Sequence, residues 1–197
     1  MDVLLIIIGA ILTNNILLTT FFGICPFIGV SGEYQAAAGM GMAVVFVLTL
    51  TIPINWLIEH FLLQPLGIEY LRFIAFIITI AFLVQIVEMF VARFSPALYN
   101  ALGIYLPLIT VNCAIFGTSL FMIIWKLNFV QSAALGFGAG VGWALAILAM
   151  AAIRERLRFA PIPKGFEGPA ITLITAGLMA LGFAGFSGMI HMQAFGG

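Results

Sequence analysis

The chain has 197 residues, of which 64% are hydrophobic and 7% are charged, and its formal net charge is zero. A soluble domain carries about a quarter charged residues, so this composition excludes a water-soluble globular fold and indicates an integral membrane protein. The balanced charge offers no basic surface, so no nucleic-acid partner is expected, and two cysteines are too few for a disulfide framework.

Six apolar stretches are long enough to cross about 30 Å of lipid hydrocarbon as helices. The first covers residues 3–22 and continues into a short piece at 25–30. Gly23 and Pro26 predict a break between these two pieces, because proline cannot donate a helical hydrogen bond. The other predicted spans are residues 36–58, 71–91, 101–125, 129–152 and 169–190, joined by short loops. We therefore expect an all-α membrane protein whose residues 1–197 form one integral membrane domain.

Two parts of the chain share a sequence pattern. The segment Cys25-Pro-Phe-Ile-Gly29 matches Cys113-Ala-Ile-Phe-Gly117, with cysteine and glycine at the same spacing. Runs of alanine and glycine follow in the same order, at 36–41 and 133–138. Three predicted spans separate equivalent positions, so the second copy is inverted relative to the first. The pattern predicts an inverted 3+3 repeat, with halves at about 1–98 and 99–197, as in many transport proteins.

The positions of basic residues predict how the chain is oriented in the membrane. The connection after the fifth span holds four of them, Arg154, Arg156, Arg158 and Lys164. This connection is therefore expected on the cytoplasmic side. Counting back through the spans places a loop containing Glu59 and His60 outside, and both termini outside as well.

The two cysteines, Cys25 and Cys113, are each predicted to lie at a break in a membrane helix. A single cysteine in an apolar helix is usually a small hydrophobic residue. Inversion, however, places these two at similar depth near the repeat axis, and two thiolates at one point are typical of a metal site. Zinc and iron–sulfur sites require four ligands. Either a partner chain supplies two more, or the two cysteines form a disulfide.

Four further polar residues lie within the predicted spans. Asn14 and Asn15 fall in the first span, and Asn112 precedes Cys113 in the fourth. Polar side chains at this depth usually face the bundle interior, where they form interhelical hydrogen bonds, support a site or line an ion path. Glu88 is the acidic residue within the third span, so it is either a candidate for cation or proton handling or a charge at the membrane boundary.

Several motifs together resemble one family of membrane subunits. They are Thr13-Asn14-Asn15, Cys25-Pro26-Phe27 and the segments 106–113, 152–156 and 174–183. The chain resembles the RnfA/NqrE family. RnfA belongs to the Rnf complex, an ion-translocating ferredoxin:NAD⁺ oxidoreductase, and NqrE belongs to the Na⁺-translocating NADH:quinone oxidoreductase. The asparagine pair and the Cys-Pro-Phe motif favour the Rnf member, whereas the segment 111–117 suits both.

This resemblance implies a six-span inverted repeat and a shared cofactor. It implies a homologous partner of opposite orientation, of the RnfE type, and a [2Fe-2S] cluster held between the two chains. Cys25 and Cys113 would be this chain's ligands, and the partner would supply two further cysteines. Other Rnf subunits would carry the flavin, iron–sulfur and NAD sites.

The function implied is that of an electron-relay subunit in the cytoplasmic (inner) membrane of a bacterium or archaeon. Electron transfer would be coupled to Na⁺ or H⁺ translocation, and this chain would hold no complete active site of the redox enzyme. The competing hypothesis is a metal-free secondary transporter built on the same inverted repeat. A structural scaffold is a further alternative.

Overall fold

The computed structural model describes residues 2–94, 107–161, 163, 165 and 168–186. All regular secondary structure in these residues is helical, which confirms the predicted all-α class. The helices are α1 (Asp2–Ile8), α2 (Ile24–Val30), α3 (Tyr34–Ile58), α4 (Arg72–Phe94), α5 (Pro107–Thr110), α6 (Cys113–Ile124), α7 (Phe129–Leu157) and α8 (Pro169–Ala184). A π-helical turn, Gly9–Thr13, continues α1, and a 3₁₀ turn, Glu69–Leu71, precedes α4.

Six apolar helical segments follow the order of the six predicted spans. Within the described residues, three are long and apolar enough to cross a membrane: Tyr34–Leu66, Glu69–Phe90 and Phe129–Leu157. Three others are shorter: Val3–Thr13, Leu108–Ile124 and Pro169–Ala184. The start of the fourth predicted span (101–106), the end of the sixth (187–190) and Lys164 lie outside the described residues. The long segments fit a protein that crosses the membrane several times.

The first predicted span is wrong at its C-terminal end. Regular helix stops at Thr13 rather than at Phe22, and the next helix begins only at Ile24. The cause is local competition for the backbone, because Asn15 Oδ1 accepts hydrogen bonds from the N–H groups of the following turn. Gly23 also has a φ of 84°, which an α-helix cannot accommodate.

The second predicted span is also wrong at its C-terminal end. Instead of a loop after Ile58, a π-helical turn (Glu59–Leu63) and a last α-helical turn (Gln64–Leu66) continue α3. Glu59, which was expected in that loop, is only 4% exposed. Arg72 Nε donates to both carboxylate oxygens of Glu59 at 2.9 Å, and this pairing allows the carboxylate to be buried.

Among the described helices, α3 and α7 form the most extensive pair. Gly41 on α3 lies against Ala144, and Gly140 on α7 lies against Val45. The residue number decreases on one helix as it increases on the other, so the two helices are antiparallel. A Cβ atom added to Gly140 would lie 2.8 Å from Val45 Cα, so this close approach of backbones depends on glycine.

The described connections between helices lie at two ends of the bundle. At one end, Arg154 near the end of α7 donates to the Ile28 carbonyl oxygen at 2.9 Å and to Ser31 Oγ at 2.8 Å. At the other end, His60 and Lys126 line one cavity. The connection with Arg154 and the segment with His60, which were expected on opposite sides of the membrane, thus lie at opposite ends of the bundle.

Candidate functional site

Cys25 and Cys113 each lie in the first turn of a helix that follows an irregular segment. Cys25 is the second residue of α2, and Cys113 is the first residue of α6. Both are free thiols on the surface of the chain, which leaves the disulfide alternative without support. The Gly23 backbone N–H donates to Cys113 Sγ, with an N···S distance of 2.9 Å. Because Gly23 immediately precedes α2, this bond brings the starts of α2 and α6 together.

The conformation of Gly23 allows this contact. A Cβ atom at Gly23 would lie 2.5 Å from Trp143 Nε1 and 2.9 Å from Ala114 Cβ, in addition to the strain of the positive φ. Trp143 is fully buried in α7. The central helix α7 therefore forms the wall against which the two irregular segments meet.

Asn112 fixes the beginning of α6. Its Oδ1 atom accepts a hydrogen bond from the Ala114 N–H at 3.0 Å and so caps the helix whose first residue is Cys113. Asn112 Nδ2 and Trp143 Nε1 are buried and have no hydrogen-bond partner in the part of the chain that the structure describes. Asn112 therefore lies next to the cysteine, as expected, and holds the local backbone.

The predicted pair Asn14 and Asn15 divides into two different environments. Asn15 is fully buried, and its Nδ2 donates to the Gly142 carbonyl oxygen on α7 at 2.8 Å. This bond attaches the first irregular segment to the central helix. Asn14 is half-buried and lines a cavity of about 240 Å³ together with Thr20. Asn15 therefore fixes the segment that leads to Cys25, whereas Asn14 faces a cavity.

Glu88 lies elsewhere, half-buried near the C-terminal end of α4. No hydrogen bond or ion pair joins it to either cysteine among the described residues. Nowhere in the described residues do three or more His, Cys, Asp or Glu side chains lie close enough together to hold a metal ion. The described residues therefore bring together two thiol ligands at most, which is half of the set that an iron–sulfur cluster requires.

Sequence reasoning missed three features of the site and its surroundings. The roles of Trp143 and Arg154 depend on contacts with residues more than 100 positions away, which no local pattern reveals. A third feature did carry a signal. Thr51, Asn55 and Glu59 recur every four residues along one face of an apolar helix, a spacing that predicts a polar stripe directed into the bundle.

Comparison with known proteins identifies the family. Residues 3–190 match the family described as "Rnf-Nqr subunit, membrane protein". The chain belongs to the Rnf-Nqr family. The resemblance found in its motifs is thereby confirmed, and the match covers all eight described helices except the first residue of α1.

Individual relatives extend over almost the same length. The chain is 52% identical over 189 residues to the A subunit of the ion-translocating oxidoreductase complex of Pseudoalteromonas atlantica, covering 96% of this chain and 98% of that protein. It is 53% identical to the protein of the same name from Cronobacter sakazakii, with the same coverage. The Vibrio cholerae protein of this name is 50% identical over 191 residues, which cover 97% of this chain and 99% of the relative.

Proposed function

We propose that this Rnf-Nqr family member is the A subunit of an Rnf-type ion-translocating oxidoreductase complex and acts there as a membrane electron relay. Relatives about half identical over nearly their whole length bear that name, which favours the Rnf complex over the quinone-reductase sister. The chain would work as one component of a redox-driven translocase. The flavin and NAD chemistry would belong to other subunits.

The fold that we propose for the membrane is the inverted 3+3 repeat with two broken helices. Its support is the antiparallel packing of α3 and α7, the helices that carry the two alanine–glycine runs. Each of these helices is preceded by a shorter helix with a cysteine in its first turn. In such a repeat, α1 with α2 forms the first broken span and α5 with α6 forms its inverted counterpart.

The observation that carries the proposed function is the pair of free surface thiols at two helix starts joined by the Gly23 N–H···Sγ bond. The donor set fits half of a [2Fe-2S] cluster, because thiolates are the usual ligands and amide hydrogen bonds to sulfur are typical of such centres. Surface exposure fits a group shared with a neighbouring chain. When bound, the cluster would supply one-electron redox chemistry within the membrane.

The chain's own residues would position this site and couple it to ion movement. Asn112 and Asn15 hold the segments before α6 and α2, and Arg154 holds the end of α2. A change in charge at the cysteines would therefore act on helices attached to α7, the helix against which segments of both halves pack. We propose that Na⁺ or H⁺ translocation is coupled in this way, with Asn14 and Glu88 as candidates for the ion path.

The test is spectroscopy of the purified complex carrying Cys25→Ser or Cys113→Ser. Either variant is expected to lose one [2Fe-2S] EPR signal and the corresponding iron, because oxygen is a poor substitute for thiolate in these clusters. The matched control is Val111→Ala, which changes an exposed side chain in the same irregular segment as Cys113. This control is expected to keep the signal and the electron-transfer rate.

Other outcomes would contradict the proposal. Full signal and activity in both cysteine variants would exclude the relay, and loss of assembly with an unchanged spectrum in the remaining complex would indicate a scaffold. Ion transport by the chain alone in vesicles, without iron, would indicate a secondary transporter. Na⁺ uptake into vesicles that contain the Glu88→Gln complex tests separately whether Glu88 lies on the ion path.

A further inference from the structure

Four fully buried polar side chains lie on α3, α6 and α7, and we call them the buried oxygen cluster: Thr51, Asn55, Ser119 and Ser132. All four are 0% exposed. Asn55 Nδ2 donates to Ser119 Oγ at 2.8 Å, which joins α3 to α6. Among the described residues, the oxygen atoms Thr51 Oγ1, Asn55 Oδ1 and Ser132 Oγ have no hydrogen-bond partner. Buried polar atoms without partners are destabilising, so the cluster is suited to an additional ligand.

The register of the helices places Ser132 beside the other members. Gly136 on α7 packs against Ile52 on α3, with a distance of 3.1 Å from its added Cβ to Ile52 Cβ. Ser132 lies about one turn before Gly136, and Asn55 lies about one turn after Ile52. Because α3 and α7 are antiparallel, both residues lie in the same direction from that contact. Three helices thus contribute oxygen atoms at one level of the bundle.

A cavity of about 420 Å³ lies at the end of the bundle nearest to this level. Its lining includes Glu59, Met122 and Asn128, each three or four residues along the chain from one member of the buried oxygen cluster. The cavity lining also includes His60, the carboxylates Glu59 and Glu69, and the cations Arg72 and Lys126. Glu59 and Glu69 both pair with Arg72, and Lys126 supplies a second positive charge, so these four charges sum to zero.

We propose that the buried oxygen cluster binds a monovalent metal cation, which reaches it through this cavity. Hydroxyl and amide oxygens are ligands of hard cations. The cluster contains no carboxylate, so it offers no charge to balance a divalent ion. It also contains no group that titrates near neutral pH, so a proton is not its ligand. This cation site rests on the proposed function in one respect only, namely that the complex moves an ion.

The test is equilibrium binding of radioactive Na⁺ to the purified complex, with choline as the ionic-strength control. Thr51→Val and Ser132→Ala are each expected to weaken one Na⁺ site by about tenfold or more, because each removes a ligand oxygen. Thr51→Ser keeps the hydroxyl and is expected to keep the affinity. The matched control is Thr172→Val on α8. Thr172 is equally buried, but its hydroxyl already has a partner, because it donates to the Gly168 carbonyl oxygen at 3.1 Å.

The outcomes separate this inference from the proposed function. Unchanged Na⁺ affinity in Thr51→Val and Ser132→Ala, with Thr172→Val also unchanged, would overturn it and leave water as the ligand of the cluster. Equal weakening in Thr172→Val would show a general packing effect and would overturn it as well. Iron is measured in the same samples, so a wild-type complex that binds Na⁺ but lacks a [2Fe-2S] signal would refute only the relay.

Discussion

Gly23 connects two parts of the chain that are 90 positions apart, through its hydrogen bond to Cys113 Sγ. It does so with a positive φ, and it lies against the indole nitrogen of Trp143. One residue without a side chain therefore determines the turn of the backbone, the start of α2 and the contact with Cys113 Sγ. A methyl group here would strain the backbone and displace α7 at the same time.

Replacing Gly23 by alanine is therefore expected to lower the free energy of unfolding by about 2–4 kcal/mol, because strain and overpacking add. The measurement is chemical denaturation of the chain in detergent. Gly29→Ala is the control, since an added Cβ at Gly29 meets no atom within 4 Å. Alanine is the better helix former, so this control should be neutral or stabilising by about 0.5–1 kcal/mol. Equal losses in the two variants would contradict the role given to Gly23.

Among the elements, α2 is short and depends on α7 at its C-terminal end. Arg154 donates to the Ile28 carbonyl oxygen and to Ser31 Oγ, and Arg158 donates to the Gly32 carbonyl oxygen. A helix of seven residues is marginal without tertiary contacts. Arg154 thereby satisfies one of the carbonyl groups that a helix end leaves without partners, and Arg158 holds the turn that follows α2.

Arg154→Gln is expected to loosen α2 and the turn that follows it, because both charge-assisted bonds to this segment weaken. Hydrogen exchange followed by mass spectrometry should show at least about tenfold faster exchange in α2 and the adjoining turn, with little change in α3. Arg156→Gln, at an exposed position of the same helix, should exchange like the wild type. Protection that is unchanged in Arg154→Gln would refute this role for the arginine.

Helix order and approximate position could be predicted from hydropathy, whereas two helix ends could not. The helix predicted to reach Phe22 stops early because Asn15 Oδ1 accepts hydrogen bonds from the next turn, in an orientation held by the bond from Asn15 Nδ2 to the distant Gly142 carbonyl oxygen. The helix predicted to stop at Ile58 continues because Arg72 compensates for the buried carboxylate of Glu59. Both effects depend on contacts between distant residues, and hydropathy averages only over neighbours. The cysteine pair was singled out by a repeated local motif, and its role as a ligand pair stays a prediction.

At the scale of the whole molecule, the two thiols are exposed on a chain whose surface is largely apolar. In the described residues no other acidic, histidine or cysteine side chains complete a metal site with them. An incomplete and exposed ligand set fits a site that closes only when a second chain is present. Assembly and cofactor loading would then be linked equilibria.

This linkage predicts that N-ethylmaleimide reacts with the chain differently before and after assembly. The isolated chain in detergent is expected to acquire two adducts, one at each cysteine, as measured by intact mass. In the complex both should be protected, because the thiols would be ligands at an interface. The Cys113→Ser chain should acquire one adduct at most. Rapid double labelling in the intact complex would contradict a shared site.

The meeting of two helix starts at the cysteines also has an electrostatic consequence. The N-terminal end of a helix carries a partial positive charge from its aligned peptide dipoles, and α6 begins at Cys113. The start of α2 lies beside it, although this shorter helix contributes less. In contrast, α3 and α7 are antiparallel, so their macrodipoles largely cancel. The positive helix ends would therefore lower the energetic cost of adding an electron to the proposed cluster in a medium of low dielectric constant.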